Sequence, residues 1–95
     1  MSMADTIRDK LTAAFAPLAL DVIDDSARHA GHAGSRPGGE THFSVRIVSS
    51  AFDGVSRVER QRRIYAVLAR ELESRVHALA LTAKTPDEAA SRGSP

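Results

Sequence analysis

The sequence has no cysteine, no tryptophan, one tyrosine and three phenylalanines. Each shortage excludes something. Without cysteine there is no disulfide framework, and a metal site built from this chain alone has no thiolate ligands. With so few rings, at least Phe15 and Phe43 of which carry the spacing of core residues, base stacking on a single-strand platform is poorly supplied. No apolar run approaches the length needed to span a bilayer. MSMADTIRDKL sets charges where the apolar stretch of a signal peptide would lie, so none is expected, and the expected location is cytoplasmic. The formal net charge is only +1, which gives no global pull toward nucleic acid.

Ninety-five residues suffice for one small domain, expected over residues 4–88, with 89–95 as a disordered tail. Charge is distributed unevenly. Between Arg46 and Arg75 seven arginines stand against Asp53, Glu59, Glu71 and Glu73, while the first 45 residues are net acidic. A local basic surface follows, weaker than that of a dedicated nucleic-acid domain.

Hydrophobic spacing sets the elements. Ile7, Leu11 and Phe15 recur every fourth residue and predict a helix over 4–16, capped by Asp5 or Thr6 and stopped by Pro17. LALDVID alternates and predicts a strand over 18–24. Four glycines and Pro37 make 27–40 a loop. THFSVRIVS is the clearest strand, with Phe43, Val45 and Ile47 on one side and His42, Ser44 and Arg46 on the other. It is expected to pair antiparallel with its predecessor. Ser56 is placed to cap a helix over 57–74, with Glu59 as capping-box partner. In that helix Ile64, Leu68 and Leu72 share a face, Arg60, Gln61, Arg63 and Arg70 are assigned to the polar side, and a break is expected near Gln61. A third strand is expected over 76–83, then a short helix opened by Pro86. The order αββαβα, with the central helix split, predicts an α+β fold with helices on one face of a three-stranded sheet.

Motifs of catalysis are missing. There is no GxSxG elbow, no HExxH and no P-loop, so the expectation is a non-enzyme. Asp24–Asp25 reads as well as a solvated strand end as an acid–base pair. The histidines carry more. His77 lies between Val76 and Ala78, where alternation assigns it to the side of Leu79 and Leu81. It is either a half-buried strand-end histidine or a ligand held by a rigid strand. His29 and His32 lie in the glycine loop, where two imidazoles alone are a weak metal motif. His42 is expected as a surface residue. Imidazole suits zinc, copper or iron. A [2Fe-2S] cluster accepts two histidines when thiolates supply the rest, so a cluster held here would have to be shared with a thiolate-bearing partner. Arg57, Arg60, Arg62 and Arg63 open a helix behind a glycine turn and are the candidates for phosphate or partner contact. The alternative is a solvated helix face.

DVIDDSARHAGHAG, followed by ETHFSVRIVSSAFDGVSRVERQRRIYAVLARELESRVHALALTAKTPDE, resembles the BolA family over about residues 5–88. The resemblance implies a fold like the class II KH domain. It also implies an adaptor that binds monothiol glutaredoxins of the CGFS type and shares a [2Fe-2S] cluster with glutaredoxin cysteine and glutathione, in iron–sulfur trafficking or iron regulation. The family's strand histidine corresponds to His77. Its loop ligand corresponds best to His29, with His32 as the alternative. Arg60–Gln61–Arg62 stands where the family usually has Arg-His-Arg. Family members are also linked to transcriptional control through a helix-turn-helix-like region, here about 52–72, so DNA binding is the alternative reading. The apo form is expected as a monomer or weak homodimer, without membrane association.

Overall fold

The computed structural model describes residues 2–25, 42–74 and 76–91. Its elements are α1 (Met3–Phe15), β1 (Ala19–Asp24), β2 (His42–Val48), a 3-10 turn (Ser50–Phe52), α2 (Arg57–Val67), α3 (Ala69–Ser74), β3 (Ala78–Lys84) and α4 (Pro86–Ser91). The strands form one mixed sheet in the order β1-β2-β3. β1 runs antiparallel to β2, as expected for strands joined by a long loop. β2 and β3 run parallel, which requires the crossover that α2 and α3 provide.

The predicted alternation decides which side of the sheet is covered. Phe43, Val45 and Ile47 are buried and meet Ile7, Leu11 and Phe15 of α1, Phe52, Ile64 of α2, and Leu68 in one core. Phe15 and Phe52 stack tilted with ring centres 5.1 Å apart. The opposite face carries Ala19, Asp21 and Ile23, then Ser44 and Arg46, then Ala78, Ala80 and Thr82. All of these are exposed or half-buried, so the helices occupy one layer only. No described helix is long and apolar enough to cross a membrane.

Several local expectations need correction. Ser2, not Asp5 or Thr6, caps α1: its Oγ accepts from the Asp5 amide (3.1 Å) while the Ser2 amide donates to the Asp5 carboxylate (3.4 Å). These bonds to Ser2 hold the Asp5 carboxyl below its usual range. Ser56 caps α2 as expected, accepting from the Glu59 amide at 3.2 Å. The Glu59 carboxylate turns instead to Arg63 (3.3 Å) and Arg62 (3.7 Å). The long helix breaks at Leu68, where φ is −100° and ψ 18°, rather than near Gln61. The break is invisible to periodicity because the series Ile64, Leu68, Leu72 runs straight through it, and Leu68 stays buried. β3 begins at Ala78, two residues later than expected. α4 begins at Pro86, as expected, and runs to Ser91, past residue 88 where the domain was expected to end.

Arg60 is the largest correction. Assigned to the polar side, it is only 5% exposed. Its guanidinium donates to the carbonyls of Val55 (2.8 Å) and Ala83 (3.1 Å) and grips the Glu88 carboxylate at 2.6 and 3.2 Å. Spacing explains the position, since Arg60 lies one helical step before Ile64 and Leu68 on the same face. Glu88 and Thr85 complete a reciprocal cap on α4: the Thr85 amide donates to Glu88 (2.9 Å) and the Glu88 amide to Thr85 Oγ1 (3.1 Å). The Arg60 hydrogen bonds, with the Thr85 amide behind them, hold the Glu88 carboxyl down from 4.5 to about 2. The folded chain therefore binds this proton less readily than the unfolded chain. The stability contributed is complete above about pH 4.5 and is lost as pH falls through about 2. Glu88→Gln is expected to flatten that part of the pH–stability curve between pH 5 and 2, measured by thermal unfolding. An acid limb unchanged from wild type would show that the clasp contributes nothing to acid sensitivity.

Candidate functional site

Topology brings the chemistry to one end of the sheet. β2 and β3 are parallel and both begin there, with His42 opposite Ala78. β1, running the other way, finishes there, with Asp24 opposite Phe43. Asp25 follows and accepts a hydrogen bond from Ser44 Oγ. The connection between β1 and β2 therefore leaves and re-enters the described structure at this end. His29 and His32, the expected loop ligands, lie in that connection and outside the described residues.

His77 stands at the same end, immediately before β3, and is exposed. It is neither a half-buried strand-end histidine nor a continuation of the Leu79–Leu81 alternation, because the strand starts only after it. Its neighbours fix its position. Val76 is buried in the core (3% exposed), and its amide donates to the Glu71 carbonyl at 2.9 Å. Glu71 is tied to Lys10 of α1 at 2.7 Å. On the other side Ala78 is locked into register with His42. The imidazole thus projects from a backbone held on both sides, which suits a ligand presented to a visitor. His42 itself is half-buried on β2.

Among the described residues no group of three or more His, Cys, Asp or Glu side chains is placed to hold a metal ion. With no cysteine anywhere in the chain, the donor set at this end is nitrogen without sulfur. Imidazole nitrogen of this kind can complete the coordination of a metal or cluster whose sulfur comes from elsewhere.

The arginines divide. Arg57, Arg62 and Arg63 are exposed on the first turns of α2. Arg62 and Arg63 are partly neutralised by Glu59. Arg60, expected beside them, points its donors inward and is not offered to a partner. Gly54, in the turn before α2, takes a left-handed φ of 73°, the conformation that FDGVS needs its one glycine for.

The structure is a small α+β domain that carries an exposed histidine at the foot of a parallel strand pair. The comparisons make this specific. The family model described as BolA-like protein matches residues 11–88, and the chain belongs to this family. It is 52% identical over 86 residues to SufE-like protein 1 of Arabidopsis thaliana, covering 86% of this chain but only 23% of that relative. It is 47% identical over 88 residues to the DNA-binding transcriptional regulator BolA of Escherichia coli, covering 93% of this chain and 80% of that one. The solved BolA domain of SufE1 from Arabidopsis thaliana superposes with a TM-score of 0.80 at 50% identity, covering 93% of this chain and 96% of that domain.

Proposed function

We propose that the chain is a non-enzymatic adaptor that docks on a CGFS-type monothiol glutaredoxin and shares a [2Fe-2S] cluster with it, in iron–sulfur trafficking or iron regulation. The observation that carries this reading is His77: exposed, fixed at its base, and at the end of the sheet from which the His29–His32 connection departs. When bound, the cluster supplies iron whose coordination an imidazole nitrogen completes. His77 is the fixed ligand and His29 the loop ligand, with His32 as the alternative. The partner's cysteine and glutathione bring the sulfur that this chain lacks. Such a thiol partner stays reduced in a compartment like the cytoplasm.

The test is visible circular dichroism of glutaredoxin, glutathione and cluster, recorded with and without this chain. The expected result is a new spectrum that saturates at one chain per glutaredoxin. Spectra that simply add would overturn the reading.

A second reading, DNA binding through about 52–72, is favoured by one observation. Arg57, Arg62 and Arg63 are exposed on one helix start, in a chain 47% identical to a protein named as a DNA-binding regulator. Duplex affinity should then fall steeply with salt, and Arg57→Ala/Arg63→Ala should reduce it about tenfold at fixed salt. Affinity no tighter than about millimolar, or equal in the variant, would remove this reading.

A further inference from the structure

β3 is an edge strand, and its hydrogen bonding shows which of its backbone groups are open. The Ser49 amide donates to the Lys84 carbonyl at 3.0 Å, so Lys84, and every second residue before it, turns its backbone toward β2. Leu79, Leu81 and Ala83 therefore turn theirs outward. The Arg60 guanidinium, donating to the Ala83 carbonyl at 3.1 Å, agrees with this parity and seals the edge at that carbonyl. The outward amides and carbonyls of Leu79 and Leu81, and the Ala83 amide, are not covered in this way.

Beside that open stretch lies a cavity of about 290 Å³, lined by Arg57 and Gln61 of α2 and by Leu81, Thr82, Ala83 and Lys84 of β3. Arg57 and Lys84 take part in no ion pair among the described residues. The lining has no aromatic ring, so a stacking platform for bases is missing. Two cations without a close ion pair, Arg57 acting only at longer range on Glu88, match one or two carboxylates better than the run of phosphates along a duplex.

We infer that the β3 edge at Leu79–Ala83 is a docking site for an extended acidic segment of another protein, which adds a strand to the sheet and sets carboxylates against Arg57 and Lys84. Main-chain bonds to Leu79 and Leu81 supply affinity, and the two cations select for acidic side chains. Arg60 fixes where the added strand must stop, because the next outward carbonyl is already taken. The site stands independently of cluster sharing and would operate on the apo chain.

The test uses the full chain and a short acetylated peptide alternating valine and glutamate, with a proline-interrupted peptide of the same charge as control. Amide hydrogen exchange and chemical shifts are followed by NMR. Expected are sub-millimolar binding of the first peptide only, and at least about tenfold slower exchange at Leu79, Leu81 and Ala83. Lys84→Glu should weaken binding several-fold. Ala83→Pro removes an outward N–H that β2 does not use, a replacement edge strands tolerate, and should abolish binding. Should that variant fail to fold, the wild-type exchange pattern decides alone. Equal binding of the interrupted peptide would reduce the site to a charge patch. Complete displacement of the peptide by duplex DNA would reassign the groove to nucleic acid. Slow exchange at the same amides in concentrated protein without peptide would assign the edge to a second copy. Each of these results overturns the inference.

Discussion

Arg60→Ala is expected to cost about 2–4 kcal/mol of folding stability. The replacement strips hydrogen bonds from two half-buried carbonyls, Val55 and Ala83. It also empties the space beside the Phe52 ring, over which the guanidinium carbon sits at 6.0 Å. Each orphaned acceptor kept from water costs about 1–3 kcal/mol, and these two lie at the low end because they are only half-buried; the figure leaves out the contact with Glu88, which is partly open to solvent. In a domain of this size about 1 kcal/mol moves the midpoint by roughly 4–8 °C, so a fall of about 10–25 °C is expected. Arg60→Lys should recover less than half, because an ammonium cannot span two carbonyls and a carboxylate as a planar guanidinium does. Urea unfolding of the three proteins is the check. A loss below about 1 kcal/mol in Arg60→Ala would return this residue to the solvated face.

The second large effect is expected at His77 and runs the opposite way. His77→Ala should leave stability within about 0.5 kcal/mol of wild type, since the side chain is exposed. It should nevertheless weaken the cluster-bridged complex with glutaredoxin by about tenfold or more. Loss of a ligand is expected to cost no less than loss of a residue behind a ligand, which typically costs about 10–100-fold. His29→Ala and His32→Ala divide the remaining assignment: the loop ligand is whichever of the two reproduces the His77 loss. Titration of cluster-loaded glutaredoxin, followed in the visible, measures all three. A His77→Ala protein with unchanged affinity would remove the fixed ligand and the reading built on it.

These two residues mark the limit of what the chain declares in one dimension. The central strand is readable because Phe43, Val45 and Ile47 alternate cleanly and all three are buried. α1 was readable because Ile7, Leu11 and Phe15 repeat every four residues and all face the core. Sequence alone assigns Arg60 to the solvated side because a charged residue on an amphipathic helix is usually solvated. The signals that place it inside were present, however: its spacing from Ile64 and Leu68, and the Thr85–Glu88 cap that offers a carboxylate. The start of α1 is hard to read because Ser2 caps it from before the first turn while the Asp5 carboxylate reaches back to the Ser2 amide, and the break at Leu68 is hard to read because burial continues through it. His77 was placed at the right end of the right strand. Its exposure was not readable, since period-two alternation holds only inside a strand and β3 begins one residue later. The outward parity of Leu79, Leu81 and Ala83 depends on which neighbour β3 has, and only the assembled sheet supplies that.

The proposed sharing of iron between two proteins has one direct spectroscopic signature. This chain is grown with ¹⁵N-histidine, combined with unlabelled glutaredoxin, glutathione and cluster, reduced by one electron, and examined by pulsed electron paramagnetic resonance. Strong ¹⁵N hyperfine coupling from two labelled nitrogens, reduced to that of one in His77→Ala, is the expected result. A reduced cluster that couples to no labelled nitrogen, although the two proteins remain bound, would contradict histidine ligation by this chain.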